Sequence, residues 1–286
     1  MRNQKGIRIW IARILLTLLA VIILLPMVQT FLYSFSSTSE MKALLDTRDK
    51  KEYKGWMDPH LSPNIISLGQ YEHVLIKEGT ILHYFTNSVI YAAAILLGQT
   101  LVIPALAFGL SKFKFRGRET IFFLIVMLML LPFQVTMVPN VLTLRFMGLM
   151  NTTWAVILPM IFAPFFIFLL RQYMIALPDE LLEAASMDGA GPFRSFLWIV
   201  LPVCRPVLGA AAALSFAESW NLVEQPLTYL TERIDLMPLS TQFNQLTRTP
   251  SGNEFAGAAL YILPALLIYL FFQEDILAGI QLTEMK

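Results

Sequence analysis

Leu177-Pro178-Asp179-Glu180-Leu181-Leu182-Glu183-Ala184-Ala185-Ser186-Met187-Asp188-Gly189-Ala190, followed nine residues after Gly189 by Ile199-Val200-Leu201-Pro202, lies between two long apolar segments. Its residue types predict a short helix, a break and a second start. Ala184 and Ala185 are strong helix formers. Asp179, Glu180 and Glu183 put negative charge at the positive end of a helix dipole. Gly189 supplies the left-handed residue on which helices commonly stop, and Pro192 suits the first turn of the next one. A small face of Ala184, Ala185 and Ser186 lets another protein's backbone approach closely. The stretch therefore reads as a docking surface.

Outward from this stretch the composition is that of a membrane protein. Of 286 residues, 56% are hydrophobic and 14% charged, against about 45–50% and 25% in soluble domains. A formal net charge of +1 is uninformative about nucleic acid, but no basic stretch is interleaved with aromatics as a nucleic-acid surface needs, and that class is set aside. The single cysteine, Cys204, can form neither an internal disulfide nor a zinc site, which needs about four ligands. It reads as a small apolar residue near a helix end.

Six apolar runs are long enough to cross a hydrocarbon core of about 30 Å. They cover roughly residues 9–33, 84–111, 120–143, 153–174, 197–222 and 256–277. The expected fold class is all-α, a single polytopic transmembrane domain over 1–286 with six transmembrane helices and a helix-turn-helix loop, 175–196, between the fourth and fifth. The first run follows Arg2, Lys5, Arg8 and Arg13 but is longer than a signal's apolar core of about 7–15 residues, so a retained helix is expected.

Lysine and arginine in short loops set the orientation. The basic N-terminus and Lys112, Lys114, Arg116 and Arg118 predict cytoplasmic faces. With six spans, the C-terminus and the 175–196 loop share that side, and the 34–83, 144–152 and 223–255 loops lie outside. Residues 38–64 mix both charge signs and read as solvated loop with a short helix at most. Residues 68–78 place Tyr71, Val74 and Leu75 at helical spacing, which predicts a helix on the outer membrane surface. The 223–255 segment, punctuated by Pro226, Pro238, Pro250 and Gly252, reads as an irregular excursion.

Within the spans, Pro104, Pro132, Pro139, Pro159, Pro164 and Pro264 each remove a backbone donor and invite a kink. Gln99, Gln134, Thr136, Asn140 and Asn221 put polar groups in or near hydrocarbon. They either hydrogen-bond between helices or line a solute path; Gln99, Gln134, Asn140 and Asn221 are the pathway candidates. No G-x-x-x-x-G-K-[ST] loop is present to cradle ATP phosphates. His60, His73 and His83 are too scattered for a metal site or a catalytic triad. Neither a catalytic residue nor a metal ligand is assigned.

The Glu183-Ala184-Ala185, Gly189 and Ile199-to-Pro202 pattern resembles the cytoplasmic loop of permease subunits of binding-protein-dependent ATP-binding cassette importers. Tyr84-Phe85 with Asn87-Ser88, Pro132 through Pro139, Trp220-Asn221 with Pro226-Leu227, and a Gln273-to-Gly279 tail extend the likeness over nearly the whole chain. They are similar to the carbohydrate-uptake subfamily, that of the smaller maltose-transporter permease. The tail departs from the family in carrying Glu274-Asp275 and only Lys286 as a basic group, which leaves open any tail contact with an ATPase.

That resemblance implies a non-enzymatic, multi-pass subunit of a prokaryotic cell membrane, with both termini cytoplasmic. Its implied partners are a second, non-identical permease, two ATP-binding cassette ATPases, an extracytoplasmic solute-binding protein and membrane lipid. No cofactor is implied in this chain, since ATP and Mg belong to the ATPases. Residues Glu180, Glu183, Ala184, Ala185, Ser186, Met187, Asp188, Gly189 and Ala190 would form the coupling surface, Glu183 offering a carboxylate to a basic group of the ATPase cleft. Transport would proceed by ATP-driven alternating access. The cargo implied is a sugar or oligosaccharide, in the resembled maltose system held mainly by the other permease. A non-sugar importer or a passive six-helix channel are the alternatives.

Overall fold

The structure, a computed structural model, describes residues 2–42, 63–77, 79–246 and 253–284. Most of the 38–64 loop lies outside the described residues, as do Pro250 and Gly252 of the 223–255 segment. Among the described residues the protein is all-α, with one isolated bridge between Ser36 and Ile66. A backbone in hydrocarbon must satisfy its own polar groups, and an uninterrupted apolar run does so as a helix.

Four helical stretches are long and apolar enough to cross a membrane: Trp10–Tyr33, Thr80–Lys112, Thr153–Ile175 and Glu254–Ile276. Two bent pairs complete the set, giving six when each pair counts as one broken span. Arg118–Leu130 meets Phe133–Phe146 at 110°, and Pro192–Val203 meets Arg205–Trp220 at 76°. The third apolar run is thus two helices with a sharp corner.

The six prolines singled out in the sequence divide into two kinds. Pro104, Pro139, Pro159 and Pro264 lie inside continuous helices. Pro132 and Pro164 stand at helix starts, each preceded by an extended residue, Leu131 (φ −79°, ψ 125°) and Ala163 (φ −109°, ψ 98°). Steric pressure from a proline ring pushes the preceding residue out of the helical region, and a proline fits the first helical turn. The breaks at Leu131–Pro132 and Phe162–Pro164 follow directly.

Residues 1–83 with 243–263 form one compact unit, and residues 84–242 with 264–286 form another. In the first, the 68–78 stretch is a helical turn, Gly69–Glu72, running into a π-turn, His73–Lys77. Its inner face is Gln70 and Val74, both fully buried. The Gln70 amide donates to the Tyr33 and Ser36 carbonyls and accepts from the Ala256 N–H, satisfying a buried side chain three times over.

In the second unit, the buried core runs from Ile103, Ala107 and Phe108 through Phe166, Ile167 and Leu170 to Phe196, Val200 and Cys204. The Thr80–Lys112 and Thr153–Ile175 helices approach closely at Gly98, where an added Cβ would lie 2.6 Å from Ile161; small residues permit such helix contacts in membranes. The 223–255 segment is more ordered than its prolines suggest, with helices Glu224–Tyr229 and Leu239–Leu246. Asn87 Nδ2 donates to the Asp235 and Met237 carbonyls, Ser88 Oγ accepts from the Leu239 N–H, and Tyr91 Oη donates to Leu236. The Asn87-Ser88 pair is therefore the tether of that segment.

Candidate functional site

The loop folds as a helix, Glu180–Met187, then a second start at Pro192. Gly189 has φ +79°. Its N–H donates to the Ser186 carbonyl at 3.0 Å, and the Ala190 N–H to Ala185 at 2.9 Å. These are the paired bonds of a Schellman stop, in which a left-handed glycine satisfies the last carbonyls of a helix. Nothing lies within 4 Å of a Cβ built on Gly189, so the constraint there is the backbone angle and not space.

The helix turns Leu182 and Ala185 inward, Leu182 against the core that contains Phe196 and Val200. Everything else faces out. Glu180, Glu183, Ala184, Ser186 and Asp188 are exposed, and Met187 and Phe193 are 91% and 74% exposed. Among the described residues the Glu180 and Glu183 carboxylates make no hydrogen bond or ion pair. The outward face thus combines large uncovered apolar groups with unpaired carboxylates.

Two buried cations secure the base of this loop. Lys112, at the end of the Thr80–Lys112 helix and 7% exposed at its side chain, donates from Nζ to the Leu177 carbonyl at 2.7 Å and to Asp179 Oδ1 at 2.6 Å. The ammonium beside Asp179 holds its carboxyl below the usual carboxylate range. Asp179 therefore serves as a tie and not as a helix cap; its side chain makes no capping bond. Arg171 is buried in Pro164–Ile175. It donates from Nε to the Leu110 carbonyl at 3.0 Å and from one terminal nitrogen to both Glu119 oxygens at 2.9 and 3.0 Å, with its carbon 3.7 Å above the Phe122 ring. Three apolar runs meet at that guanidinium. Sequence reasoning passed over Lys112, Arg171 and Glu119 as a site, although a lone arginine inside an apolar run is itself a signal.

The four pathway candidates are not gathered in one place. Gln99 is buried, donates to the Met160 carbonyl at 2.7 Å and accepts from Ser215 Oγ, so its amide is consumed between helices. Gln134 donates to the Glu224 carboxylate at 3.1 Å, and Asn221 donates to the Ala217 carbonyl at 2.8 Å. Asn140 alone of the four lines a cavity of about 730 Å³ beside the two proline breaks, together with Thr136, Glu218, Gln225 and Tyr229. Glu218, a carboxylate within the 197–222 apolar run, was legible as an intramembrane ionisable group. Tyr229 had no such signal.

Known proteins agree with this architecture. The family described as the binding-protein-dependent transport system inner membrane component matches residues 102–274, which include the whole loop. The arabinooligosaccharides transport system permease of Halalkalibacterium halodurans is 29% identical over 100% of this chain and 99% of its own length. The diacetylchitobiose uptake system permease of Streptomyces coelicolor is 30% identical over 94% of this chain and 86% of its own. A crystal structure of a bacterial ABC transporter involved in import of the acidic polysaccharide alginate superposes with TM-score 0.79 at 22% identity, covering 96% of this chain and 98% of that one. With a match over more than half its length and six apolar spans, this chain belongs to the binding-protein-dependent transport system inner membrane component family, as a multi-pass permease subunit.

Proposed function

We propose that this permease serves an ATP-driven importer of a sugar or oligosaccharide in a prokaryotic cell membrane. It pairs with a second, non-identical permease and rests on two ATPase subunits that bind ATP and Mg. An external solute-binding protein delivers the cargo. Both termini and the Glu180–Met187 helix face the cytoplasm, in keeping with the basic residues at Lys112, Lys114, Arg116 and Arg118. The sugar reading rests on relatives whose names specify arabinooligosaccharides, diacetylchitobiose and lactose transport.

The observation that carries the coupling role is the exposed, sharply stopped helix with apolar Met187 and Phe193 uncovered beside it. Closure of the ATPases pulls this helix. Leu182 and Ala185 pass the displacement to the core, and the Lys112–Asp179 and Arg171–Glu119 ties pass it to the ends of three spans. The bundle then rocks between inward- and outward-open states. The test is purification of the tagged chain from cells expressing the neighbouring transport genes, followed by uptake into proteoliposomes. Two ATPase subunits, a second permease and uptake that requires internal ATP are expected; a homo-oligomer that passes sugar without ATP overturns the reading.

A further inference from the structure

The cavity of about 730 Å³ lies where two spans are interrupted, at Leu131–Pro132 and at Phe162–Pro164, and where the Arg205–Trp220 helix ends. Its size is within the usual range for small-molecule sites, about 300–1,000 Å³. Interrupted helices are also where transporters expose backbone and polar groups to solute.

Thr136 donates to the Phe133 carbonyl within its own helix, and the other polar side chains of the cavity keep hydrogen-bonding capacity. The Tyr229 hydroxyl is fully buried and has no hydrogen-bond partner of normal geometry among the described residues. Asn140 is the polar group beside it. A buried donor left unpaired costs free energy, so a hydroxyl kept here is explained by a guest that pairs with it. Glu218 makes no ion pair or hydrogen bond among the described residues, and Gln225 adds an amide. Four phenylalanine rings complete the wall: Phe133, edge-on to Tyr229, with Phe162, Phe165 and Phe166. Hydroxyl, amide and carboxylate acceptors around aromatic faces are what a saccharide needs, its hydroxyls pairing and its C–H faces resting on rings.

The charge is one-sided. Glu218 lines the cavity, and no lysine, arginine or histidine does. An anionic guest would meet an uncompensated like charge. We infer that this cavity is a saccharide subsite in this chain itself, selective for neutral over anionic sugars, with Glu218, Tyr229 and Asn140 as its hydrogen-bonding groups. The inference rests on the importer reading above.

The test uses the complete complex in proteoliposomes, with lactose, an arabino-oligosaccharide and N,N′-diacetylchitobiose as neutral probes and an alginate oligosaccharide as the anionic one. Glu218→Gln and Tyr229→Phe, which change one polar group each, are expected to lower maximal uptake of the neutral probe about tenfold, the worth of about one buried hydrogen bond. ATP hydrolysis stimulated by the loaded binding protein stays near wild type. A merely structural role would lower both together. As a second measurement, Thr136→Cys, the single native thiol Cys204 being buried, should react with a membrane-impermeant maleimide and be protected by the neutral probe only. Unchanged uptake in both variants, or no protection at Thr136→Cys, overturns the subsite while wild-type ATP-driven uptake leaves the importer standing. No wild-type uptake of any sugar overturns both.

Discussion

Two regions of the same helical unit handle their polar groups in opposite ways. At the base of the loop, Lys112 and Arg171 are buried cations with every bond directed to a carbonyl, a carboxylate or a ring. At the helix breaks, Glu218 and Gln225 make no hydrogen bond among the described residues, and the Tyr229 hydroxyl has Asn140 beside it without a bond of normal geometry. A satisfied polar network is rigid and transmits displacement; an unsatisfied one has capacity for a guest. On the proposed function, the difference is that expected between a part that moves as a body and a part that meets the cargo.

The largest effect expected on the transmitting side is at the loop itself. Gly189→Val puts a β-branched residue at φ +79°, a conformation that costs an L-residue about 1–2 kcal/mol or more. Because a Cβ there meets nothing, the membrane helices should fold normally while the stop unravels. ATP-driven uptake is expected to fall at least about tenfold, in proportion to the lost stop, with ATP hydrolysis persisting. Glu183→Lys reverses an exposed, unpaired carboxylate and should give the same uncoupling. Full uptake by both variants in vesicles would break the assignment of this surface.

How much of this was legible follows from the range of each interaction. The Schellman stop at Gly189 is local: all its bonds lie between Ala185 and Ala190, so residue type and spacing predict it. The breaks at Pro132 and Pro164 are equally local. The Arg171–Glu119 and Lys112–Asp179 ties join residues 52 and 67 positions apart, and only packing brings them together. The same holds for the cavity. Asn140 was singled out with Gln99, Gln134 and Asn221 because an amide in an apolar run marks a polar need; which need is met by a neighbouring helix, as at Gln99, and which by open space, as at Asn140, depends on the corner at Leu131. The helices of the 223–255 segment were missed because its prolines sit inside or beside short helices.

Next in size is Arg171→Met, which keeps bulk and removes the fork. Glu119 is 64% exposed and can turn to water, but the Leu110 carbonyl loses its buried donor. The melting temperature of the detergent-purified complex should drop by about 5 °C, as expected for losing charge-assisted bonds in a chain of this size. Arg171→Lys should recover only part of it, since one ammonium nitrogen cannot serve the Leu110 carbonyl and Glu119 from two edges of a plane that lies flat on Phe122. An unchanged melting curve for Arg171→Met would show that the node is decorative and narrow the contrast with the cavity.

Lys112→Met should act more on coupling than on folding. The methylene stem stays packed while the ties to Leu177 and Asp179 go, so sugar moved per ATP is expected to fall about fivefold, the low end of coupling changes usually measured. Equal losses of uptake and of melting temperature would instead make Lys112 an ordinary core residue.

The smallest effect is with pH, and its sign is fixed by Asp179. Its carboxyl is held below the usual range by the hydrogen bond and charge of Lys112. A carboxyl depressed on folding contributes stability that is present above its unfolded value, about 3.9, and is lost as pH falls through the depressed folded value. Between pH 6 and 8 the tie is therefore closed, and uptake per ATP should show no titration from it. Below about pH 4 the loop's attachment weakens, and thermal melts of wild type should steepen their decline with acid relative to Asp179→Asn, which has no proton to take up. Parallel acid profiles for the two proteins would mean that Lys112 holds the loop through the Leu177 carbonyl alone, and the rigid side of the comparison would rest on a neutral acceptor.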